Sequence, residues 1–368
     1  MEKVTVTLPY LKQEIYIRPL EELMLKLLEK EGYDHFLVVA DRNAARYHGG
    51  FLATLLARLS IERTQIVYLE PKPEHKDLKT AARILTRLQR MGATRRSCVI
   101  AFGGGFVADI AGFASSVYMR GIDFIQIPTT YMAMADCVIG KVAVNFRKTK
   151  NLLGSFYSPK FVFCLPGFLQ GLPRLELIHG LVEVWKHAII TGDRAVIKAI
   201  IQILAAPDSK SAESLIGFSV NVKKSLVETD FSDRNDGHKL LSLGHTLANY
   251  LEGEHPMRHG KAVMLGIVFA TFLASEANKI TFSQQEDIFV VARMFERELR
   301  DHYPIKNYIS IPRALRSFRS DKISNHGEYG FVIPSGESAE VVRGVSEDAV
   351  IKALELVQSF DEAEARNA

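Results

Sequence analysis

Cysteine is scarce in this 368-residue chain, and Cys98, Cys137 and Cys164 have neither CxxC spacing nor an even number for pairing. Their scarcity argues against a disulfide framework and favours a reducing compartment, with thiols packed in apolar surroundings. Long apolar runs are also missing, since none approaches the ~18–20 residues that span a bilayer. The first residues alternate like a strand and lack the apolar core of a signal peptide. We therefore expect a cytoplasmic protein without a membrane partner.

The chain also lacks a basic block, an internal repeat and a low-complexity tract. Its formal net charge of +4 is spread along the sequence, which argues against nucleic acid as a partner and suits small anionic substrates. A hydrophobic content of 47% with 24% charged residues is typical of a soluble enzyme. The length suggests two domains.

Strands and helices alternate in the first half of the predicted structure. Strands are predicted at 4–7, 14–17, 35–40, 65–69, 98–102 and 122–127, and helices at 20–31, 50–60, 77–91 and 107–118. This rhythm is typical of a mostly parallel sheet covered by helices on both faces. After Pro166 the pattern predicts helices at 175–190, 194–206, 212–230, 239–252, 261–277 and 284–298, with strands only at 329–333 and 338–343.

The stretch from Cys98 to Thr130 predicts a strand, a glycine turn, a helix and a second strand. Gly103, Gly104 and Gly105 permit a sharp turn and a close approach to a ligand, and the following helix offers free N–H groups to a phosphate. The pattern indicates a dinucleotide or phosphate site. A glycine turn of any α/β domain is the alternative. GGGxxxD, ending at Asp109, also differs from GxGxxG, so the surrounding fold need not be a standard Rossmann unit.

Asp41 and Asn43 follow a strand that reads as buried. Polar residues at the ends of parallel strands lie where open α/β sheets bind ligands. Each of the two could instead cap the next helix.

A candidate metal site rests on residues of three predicted helices. Glu183, Lys186 and His187 lie on a strongly apolar helix, where a charged pair is costly unless a site or a partner neutralises it. His245 and His259 each begin a later helix. One glutamate and two histidines suit an open zinc site. An internal Glu183–Lys186 ion pair is the alternative, and the rival ligands are His187, His238 and His255.

Cationic residues form a third group, and some of them lie in a segment with the composition of a polar loop, GKVAVNFRKTKNLLGSF. Such side chains can hold a phosphate and polarise hydroxyl groups. A solvated basic loop is the alternative. The members are Arg120, Lys141, Lys150 with Asn151, Lys186, Lys224 and Lys322.

Several ordered motifs between about residues 95 and 275 resemble the sugar phosphate cyclases, whose commonest member is 3-dehydroquinate synthase. They are GGGFVADIAGFASSVYMRG, IPTT, the Lys141–Asn145 and Lys150–Asn151 pairs, SFYSPKFVF, LPxxE…GLxExxK and LGHT…HG. The resemblance implies an α/β N-terminal NAD-binding domain, residues 1–165, plus an all-α C-terminal metal-binding domain, residues 166–368. It also implies a homodimer.

The resemblance assigns roles position by position. Glu183, His245 and His259 resemble the zinc (or cobalt) ligands, and His245 counts among the catalytic residues with Lys141, Lys186 and Lys224. The implied NAD-binding residues are Asp41, Asn43, Gly104, Gly105, Asp109, Thr129, Thr130, Asp136 and Lys150. The implied substrate and phosphate residues are Arg120, Lys141, Asn151, Lys224, His238, Ser242, Asn249 and Lys322.

The reaction implied by the resemblance is self-contained. NAD oxidises a hydroxyl of a sugar phosphate while zinc holds neighbouring oxygens. Phosphate is eliminated, the hydride returns, the ring opens and an intramolecular aldol step closes a carbocycle. Such an enzyme is formally a lyase.

Three departures from the 3-dehydroquinate synthase pattern bear on the substrate. His238 stands where those enzymes have an arginine for the substrate carboxylate, Ser242 replaces an asparagine and Asn249 replaces a histidine. Because a bidentate Arg–carboxylate contact is strong, its loss predicts a substrate without a carboxylate, such as sedoheptulose 7-phosphate. Lys239 or Arg234 could substitute for the arginine, so a true 3-dehydroquinate synthase is the alternative.

Two rival functions belong to other classes. A metal-dependent polyol or alcohol dehydrogenase shares GGGxxxD but does not need the lysines Lys141, Lys150, Lys186 and Lys224. A degenerate, non-catalytic NAD-binding scaffold has no need of Glu183, His245 and His259 on apolar helices.

Overall fold

The computed structural model describes residues 1–147, 149–205, 209–232, 235–299, 308–324 and 327–365. The chain forms two compact units, Met1–Pro173 with Ile216–Lys224 and Arg174–Leu215 with Ser225–Ala368. The single domain boundary after residue 165 stays a prediction. No helix of the described part is long and apolar enough to cross a membrane.

The first unit has an α/β architecture, with elements β1 Glu2–Leu8, β2 Leu11–Ile17, α1 Glu21–Glu31, β3 Phe36–Asp41, α2 Arg42–Tyr47, α3 Gly49–Arg58, β4 Ile66–Leu69, α4 Leu78–Arg90, β5 Cys98–Gly103, α5 Gly105–Val117, β6 Phe124–Pro128, α6 Tyr131–Ala135, β7 Lys141–Phe146, β8 Thr149–Phe156 and β9 Phe161–Cys164. Seven strands form one sheet in the order β1-β2-β9-β6-β5-β3-β4. Only β1 and β2 pair antiparallel, and the other pairs are parallel. All six predicted strands of this half are present, and β9 is an addition.

The central strands are buried along their whole length because helices cover them. Every residue of β3 and β5 is buried, as expected for parallel strands inside an α/β layer. Ile84 and Leu88 of α4 and Ile110 of α5 pack on them in one apolar core. This core holds the carboxyl ends of β3, β5 and β6 at one edge of the sheet.

A polar loop predicted over residues 140–156 was wrong, because β7 and β8 form an antiparallel hairpin. Along β7 the side chains alternate, with Val142 and Val144 buried and Lys141 exposed. Val142 and Val144 join the core of the first unit, and this burial stabilises the hairpin. The polar composition of the segment concealed the alternation of buried and exposed side chains that is typical of a strand.

In its described residues the second unit is helical apart from one antiparallel hairpin, with elements α7 Arg174–Thr191, α8 Arg194–Ala205, α9 Ser209–Thr229, α10 Asp236–Lys239, α11 His245–Glu254, α12 His259–Glu276, α13 Phe282–Glu298, α14 Ile311–Arg319, β10 Tyr329–Ser335, β11 Ser338–Val345 and α15 Glu347–Ala365. Part of α9, Ile216–Lys224, belongs to the first unit. Helices α7 and α12 are buried on nearly all sides, so both are core helices of this unit.

The helix predicted over 239–252 is interrupted. α10 ends at Lys239, a 3₁₀ turn follows, and α11 begins only at His245. Gly244 between them has φ +79°, and a Cβ there would lie 2.8 Å from the carbonyl oxygen of Val263. Glycine is therefore required at the break, which sets the position of His245.

Candidate functional site

Three helices of the second unit bring Glu183, His245 and His259 together, with one ligand atom from each within 4.8 Å of the others. Oε1 of Glu183 lies 3.1 Å from Nε2 of His259 and 3.9 Å from Nε2 of His245. Zinc–ligand bonds of ~2.0–2.1 Å in a tetrahedron place neighbouring ligand atoms about 3.3 Å apart. The three side chains therefore fit a divalent cation, with coordination positions left for other oxygens.

The second ring nitrogen of each histidine is already bound. Nδ1 of His245 donates to the carbonyl oxygen of Leu243 at 3.2 Å, and Nδ1 of His259 donates to Oε2 of Glu252 at 3.3 Å. A hydrogen bond at Nδ1 fixes the ring and leaves Nε2 for a metal. Sequence reasoning missed Glu252, although its position seven residues after His245, on the same helix, was a usable signal.

Glu183 is completely buried, and its other oxygen, Oε2, lies 2.5 Å from Nζ of Lys186. The internal ion pair that the sequence left as an alternative is therefore present. It coexists with the histidine cluster, because the two groups use different oxygens of one carboxylate. Removing either partner would deprive a buried charge of an ion-pair partner, which is costly.

The two histidines differ in their charge. Burial, with the positive charge of Lys186 nearby, lowers the pKa of His245 to about 4. Burial also acts to lower the pKa of His259, but hydrogen bonds to Glu183 and Glu252 outweigh it and raise that pKa to about 10. His245 is thus neutral at pH 7 and ready as a ligand, whereas a cation that binds His259 displaces a proton.

Two of the three rival ligands each have a ring nitrogen beside a backbone carbonyl oxygen. His238 is buried with Nδ1 2.9 Å from the carbonyl oxygen of Asp230, and Nε2 of His255 is 2.7 Å from that of Tyr308. His187 offers a ligand atom within 4.8 Å of Glu183 but does not join the group with the two histidines.

The substrate residues predicted on the second unit are not brought together by any described contact. Ser242 ends the 3₁₀ turn before α11, Asn249 is exposed on α11, and Lys322 is exposed after α14. Their roles, and that of His238, stay predictions. Of the two substitute cations, Lys239 is 3.2 Å from Asp236, and Arg234 lies outside the described residues.

At the carboxyl ends of the parallel strands of the first unit, Asp41 ends β3 and caps α2. Its Oδ1 accepts from the backbone N–H groups of Asn43 at 2.7 Å and of Ala44 at 3.3 Å. The capping alternative therefore holds for Asp41, while Asn43 is exposed on the first turn. An NAD-binding role for either residue stays a prediction.

The glycine turn has a different physical basis from the expected one. None of the three glycines has a positive φ. Instead, a Cβ on Gly103 would lie 2.9 Å from Cβ of Asp41, and one on Gly105 would lie 2.8 Å from Sγ of Cys137. Close packing therefore excludes side chains here. Gly104 precedes α5, whose N-terminus has no side-chain cap.

The remaining predicted NAD residues make contacts within the first unit. Thr129 donates its N–H to the carbonyl oxygen of Gly103 at 3.0 Å, and the hydroxyl of Thr130 caps α6. Asp109 pairs with Lys76, and Asp136 with Lys223 at 3.3 Å. The sequence marked Lys76 only through the Glu74–Lys76 pair, whose spacing is shorter than the family's ExxK, and Lys223 was missed because only the fold joins positions so far apart.

Apart from Lys322 of the second unit, the cations predicted around the phosphate lie in the first unit. Lys76 bridges from Asp109 to Oδ1 of Asn151 at 2.6 Å, whereas Lys150 is half-buried on β8. Lys141 is exposed with Nζ 5.8 Å from the ring centre of Phe156. Arg120 is exposed and has φ +68°. Lys224 is half-buried in α9, and no described contact joins it to the other cations.

Residues 66–179 match the 3-dehydroquinate synthase N-terminal family, and residues 180–323 match the 3-dehydroquinate synthase C-terminal family. The chain belongs to the 3-dehydroquinate synthase family. Like its relatives, this family member is a cyclase-type enzyme with an α/β N-terminal domain and a helical C-terminal domain. A curated relative, 3-dehydroquinate synthase of Sulfurovum sp. (strain NBC37-1), is 34% identical over 333 residues, or 88% of this chain and 90% of the relative.

Two solved structures share the family fold. A 2-deoxy-scyllo-inosose synthase complexed with carbaglucose-6-phosphate, NAD+ and Co2+ has a TM-score of 0.82 at 20% identity, with 96% of this chain and 99% of that chain covered. The 2-epi-5-epi-valiolone synthase ValA from Streptomyces hygroscopicus subsp. jinggangensis 5008, with NAD+ and Zn2+ bound, has a TM-score of 0.82 at 22% identity and the same coverage.

Proposed function

We propose that this family member is an NAD- and divalent-metal-dependent sugar phosphate cyclase that eliminates phosphate and closes a carbocycle by an intramolecular aldol reaction. The convergence of Glu183, His245 and His259 carries the proposal. The cyclase neighbours that share its fold bind NAD+ with Co2+ or Zn2+. We also propose a cytoplasmic homodimer.

In this proposal the second unit holds a Zn2+ or Co2+ ion through Oε1 of Glu183 and Nε2 of both histidines. When bound, the metal would act as a Lewis acid toward substrate oxygens, and NAD would accept and return a hydride. Lys186 lies 2.5 Å from Glu183, where it can stabilise negative charge and move a proton at a substrate hydroxyl. Glu252 keeps the ring of His259 in its ligating orientation.

The sheet edge of the first unit fits a dinucleotide. The uncapped N-terminus of α5 has N–H groups to donate to a diphosphate, and both hydrogen bonds of Asp41 use Oδ1, so its Oδ2 can accept from a ribose hydroxyl. We assign NAD binding to this edge, with Asn43, Asp109, Thr129, Thr130, Asp136 and Lys150 beside it. Lys141, Asn151, Lys224, Lys322 and Arg120 would bind the substrate and its phosphate.

The proposed substrate is a sugar phosphate without a carboxylate, such as sedoheptulose 7-phosphate. His238, at the position of the arginine, is buried and bound to the Asp230 carbonyl, and Lys239 is engaged by Asp236. Neither therefore replaces a bidentate guanidinium. The second candidate is a true 3-dehydroquinate synthase, favoured by the name of the relative that is 34% identical.

The test is a substrate panel run on metal-loaded protein with NAD. The panel contains the seven-carbon acid phosphate of 3-dehydroquinate synthases, sedoheptulose 7-phosphate and glucose 6-phosphate. We expect phosphate release from sedoheptulose 7-phosphate without net absorbance change at the NADH wavelength. Accumulating NADH without phosphate would indicate an alcohol dehydrogenase, and failure to load about one metal ion per chain would indicate a scaffold.

A further inference from the structure

A groove of about 490 Å³ in the first unit is lined by cations and contains no acidic side chain. One wall is the strand β4, which contributes Ile66, Val67 and Tyr68. The other wall is one stripe of α4, and Arg42 closes one side. The stripe consists of Lys79, Ala82, Arg83, Thr86, Arg87 and Arg90.

The cations of the α4 stripe are not used by the fold. Among the described residues, Lys79, Arg83, Arg87 and Arg90 form no salt bridge, and α4 itself contains no aspartate or glutamate. Arg42 pairs with Glu70 at 3.7 Å, but both side chains are about half exposed or more, so that pair is weak. Uncompensated positive charge in a concave site favours an anionic ligand.

The wall formed by β4 supplies a second recognition element. β4 is the last strand of the seven-stranded sheet, so one side of its backbone has no neighbouring strand among the described residues. Edge strands can accept an added strand through their outward N–H and C=O groups. The groove lies between this edge and the flank of α4, where a further strand of the sheet would run.

The spacing of the charges matches an extended peptide. Lys79, Arg83 and Arg87 repeat every four residues, which is about 6 Å along a helix. Side chains on one face of a strand repeat every two residues, about 6.6 Å. Three alternate carboxylates could therefore meet three successive cations, whereas a single compact phosphate could contact only some of the row.

We propose that this groove binds an extended acidic segment of a partner protein, in which Asp or Glu occupies every second position. The segment adds to the open edge of β4 and directs its carboxylates toward α4. The proposal is independent of the cyclase reaction, because none of the lining residues belongs to the metal or NAD sites.

The experiment uses the full chain and a fluorescein-labelled eight-residue peptide of alternating Glu and Val, with binding followed by anisotropy. A peptide of the same composition, with the four Glu residues before the four Val residues, is the control. We expect saturable binding of the alternating peptide, about tenfold or more tighter than that of the control. No detectable binding, or equal affinity for both peptides, would overturn the proposal.

Matched variants test the position of the site. Arg83→Glu with Arg87→Glu should weaken binding about tenfold or more. Arg46→Glu with Arg316→Glu changes the net charge equally at exposed positions outside the groove and should leave binding unchanged. Equal loss in both double variants would mean non-specific attraction and overturn the proposal. If the first variant does not fold, Arg83→Gln with Arg87→Gln takes its place.

Backbone methylation tests strand addition. Of two alternating peptides N-methylated at every Glu or at every Val, one should lose binding, because only one set of amides faces β4. If neither loses binding, the peptide does not add to the edge of β4 and the proposal is wrong. If inorganic tripolyphosphate binds the groove more tightly than the peptide, the site is a phosphate site and the proposal is also wrong.

Discussion

Nδ1 of His259 donates to Oε2 of Glu252 across 3.3 Å. Removing that carboxylate frees the ring to rotate, so Glu252→Ala should raise the dissociation constant for Zn2+ or Co2+ about 10–100-fold. Competition against a chromophoric chelator measures this. The matched control is Glu254→Gln on the same helix, whose carboxylate instead pairs with Arg313 at 2.9 Å. Unchanged affinity in Glu252→Ala would refute the positioning role.

Lys186→Met should lower phosphate release by at least about 100-fold, because the variant loses the proton-carrying group beside Glu183. Without metal, the variant should also unfold at a lower temperature, since Glu183 loses an ion-pair partner worth about 3–5 kcal/mol in buried settings. Added Zn2+ should recover part of that stability. Phosphate assays and thermal unfolding with and without metal measure both effects.

Lys198→Met is the control for this substitution, because Lys198 is exposed on α8 of the same unit. Full turnover of folded, metal-loaded Lys186→Met would remove Lys186 from the catalytic residues.

His238→Arg tests substrate choice. A charge-assisted contact of about 1.5–3 kcal/mol should shift the ratio of kcat/KM values toward the seven-carbon acid phosphate about 10–100-fold, relative to sedoheptulose 7-phosphate. Lys239→Arg, at the neighbouring position, should not shift it. Because His238 loses its hydrogen bond to Asp230, the thermal unfolding of each variant is measured first. A wild-type preference for the acid would contradict the carboxylate argument.

The pair Asp236–Arg343 should make stability depend on pH in acid. Hydrogen bonds from Arg343, aided by Lys239, lower the pKa of Asp236 to about 2 despite partial burial. A folded-state pKa below the unfolded value of about 3.9 stabilises the fold above that pH, and the contribution is lost as pH falls toward 2. Since the carboxylate is 48% exposed, we expect less than about 1 kcal/mol.

Urea unfolding of wild type and Asp236→Asn measures this contribution. The difference in unfolding free energy should be present at pH 7 and shrink between pH 4 and pH 3. Asp287→Asn, an exposed change on α13, is the control. A difference that grows as the pH falls would contradict the assigned sign.

Most of the main sheet and the residues proposed as metal ligands were predictable from the sequence. Buried parallel strands are continuous apolar runs, and ionisable residues on apolar helices are costly enough to mark a site. This cost made Glu183 identifiable as a site residue without coordinates, whereas the resemblance to the sugar phosphate cyclases selected His245 and His259 among the histidines. The structure places the three side chains together. The β7–β8 hairpin was not predictable in the same way, because the polar composition of its segment concealed the buried Val142 and Val144.

By itself, the sequence determined the residue types of the proposed metal site and the order of most elements, since both follow from local patterns of apolar and ionisable residues. Only the tertiary structure decided which partners those residues take. It joined Glu252 to His259, placed Lys186 on the second oxygen of Glu183, and showed that packing against Asp41 and Cys137 excludes side chains at Gly103 and Gly105. Contacts of this kind depend on distances between elements, which no local pattern encodes.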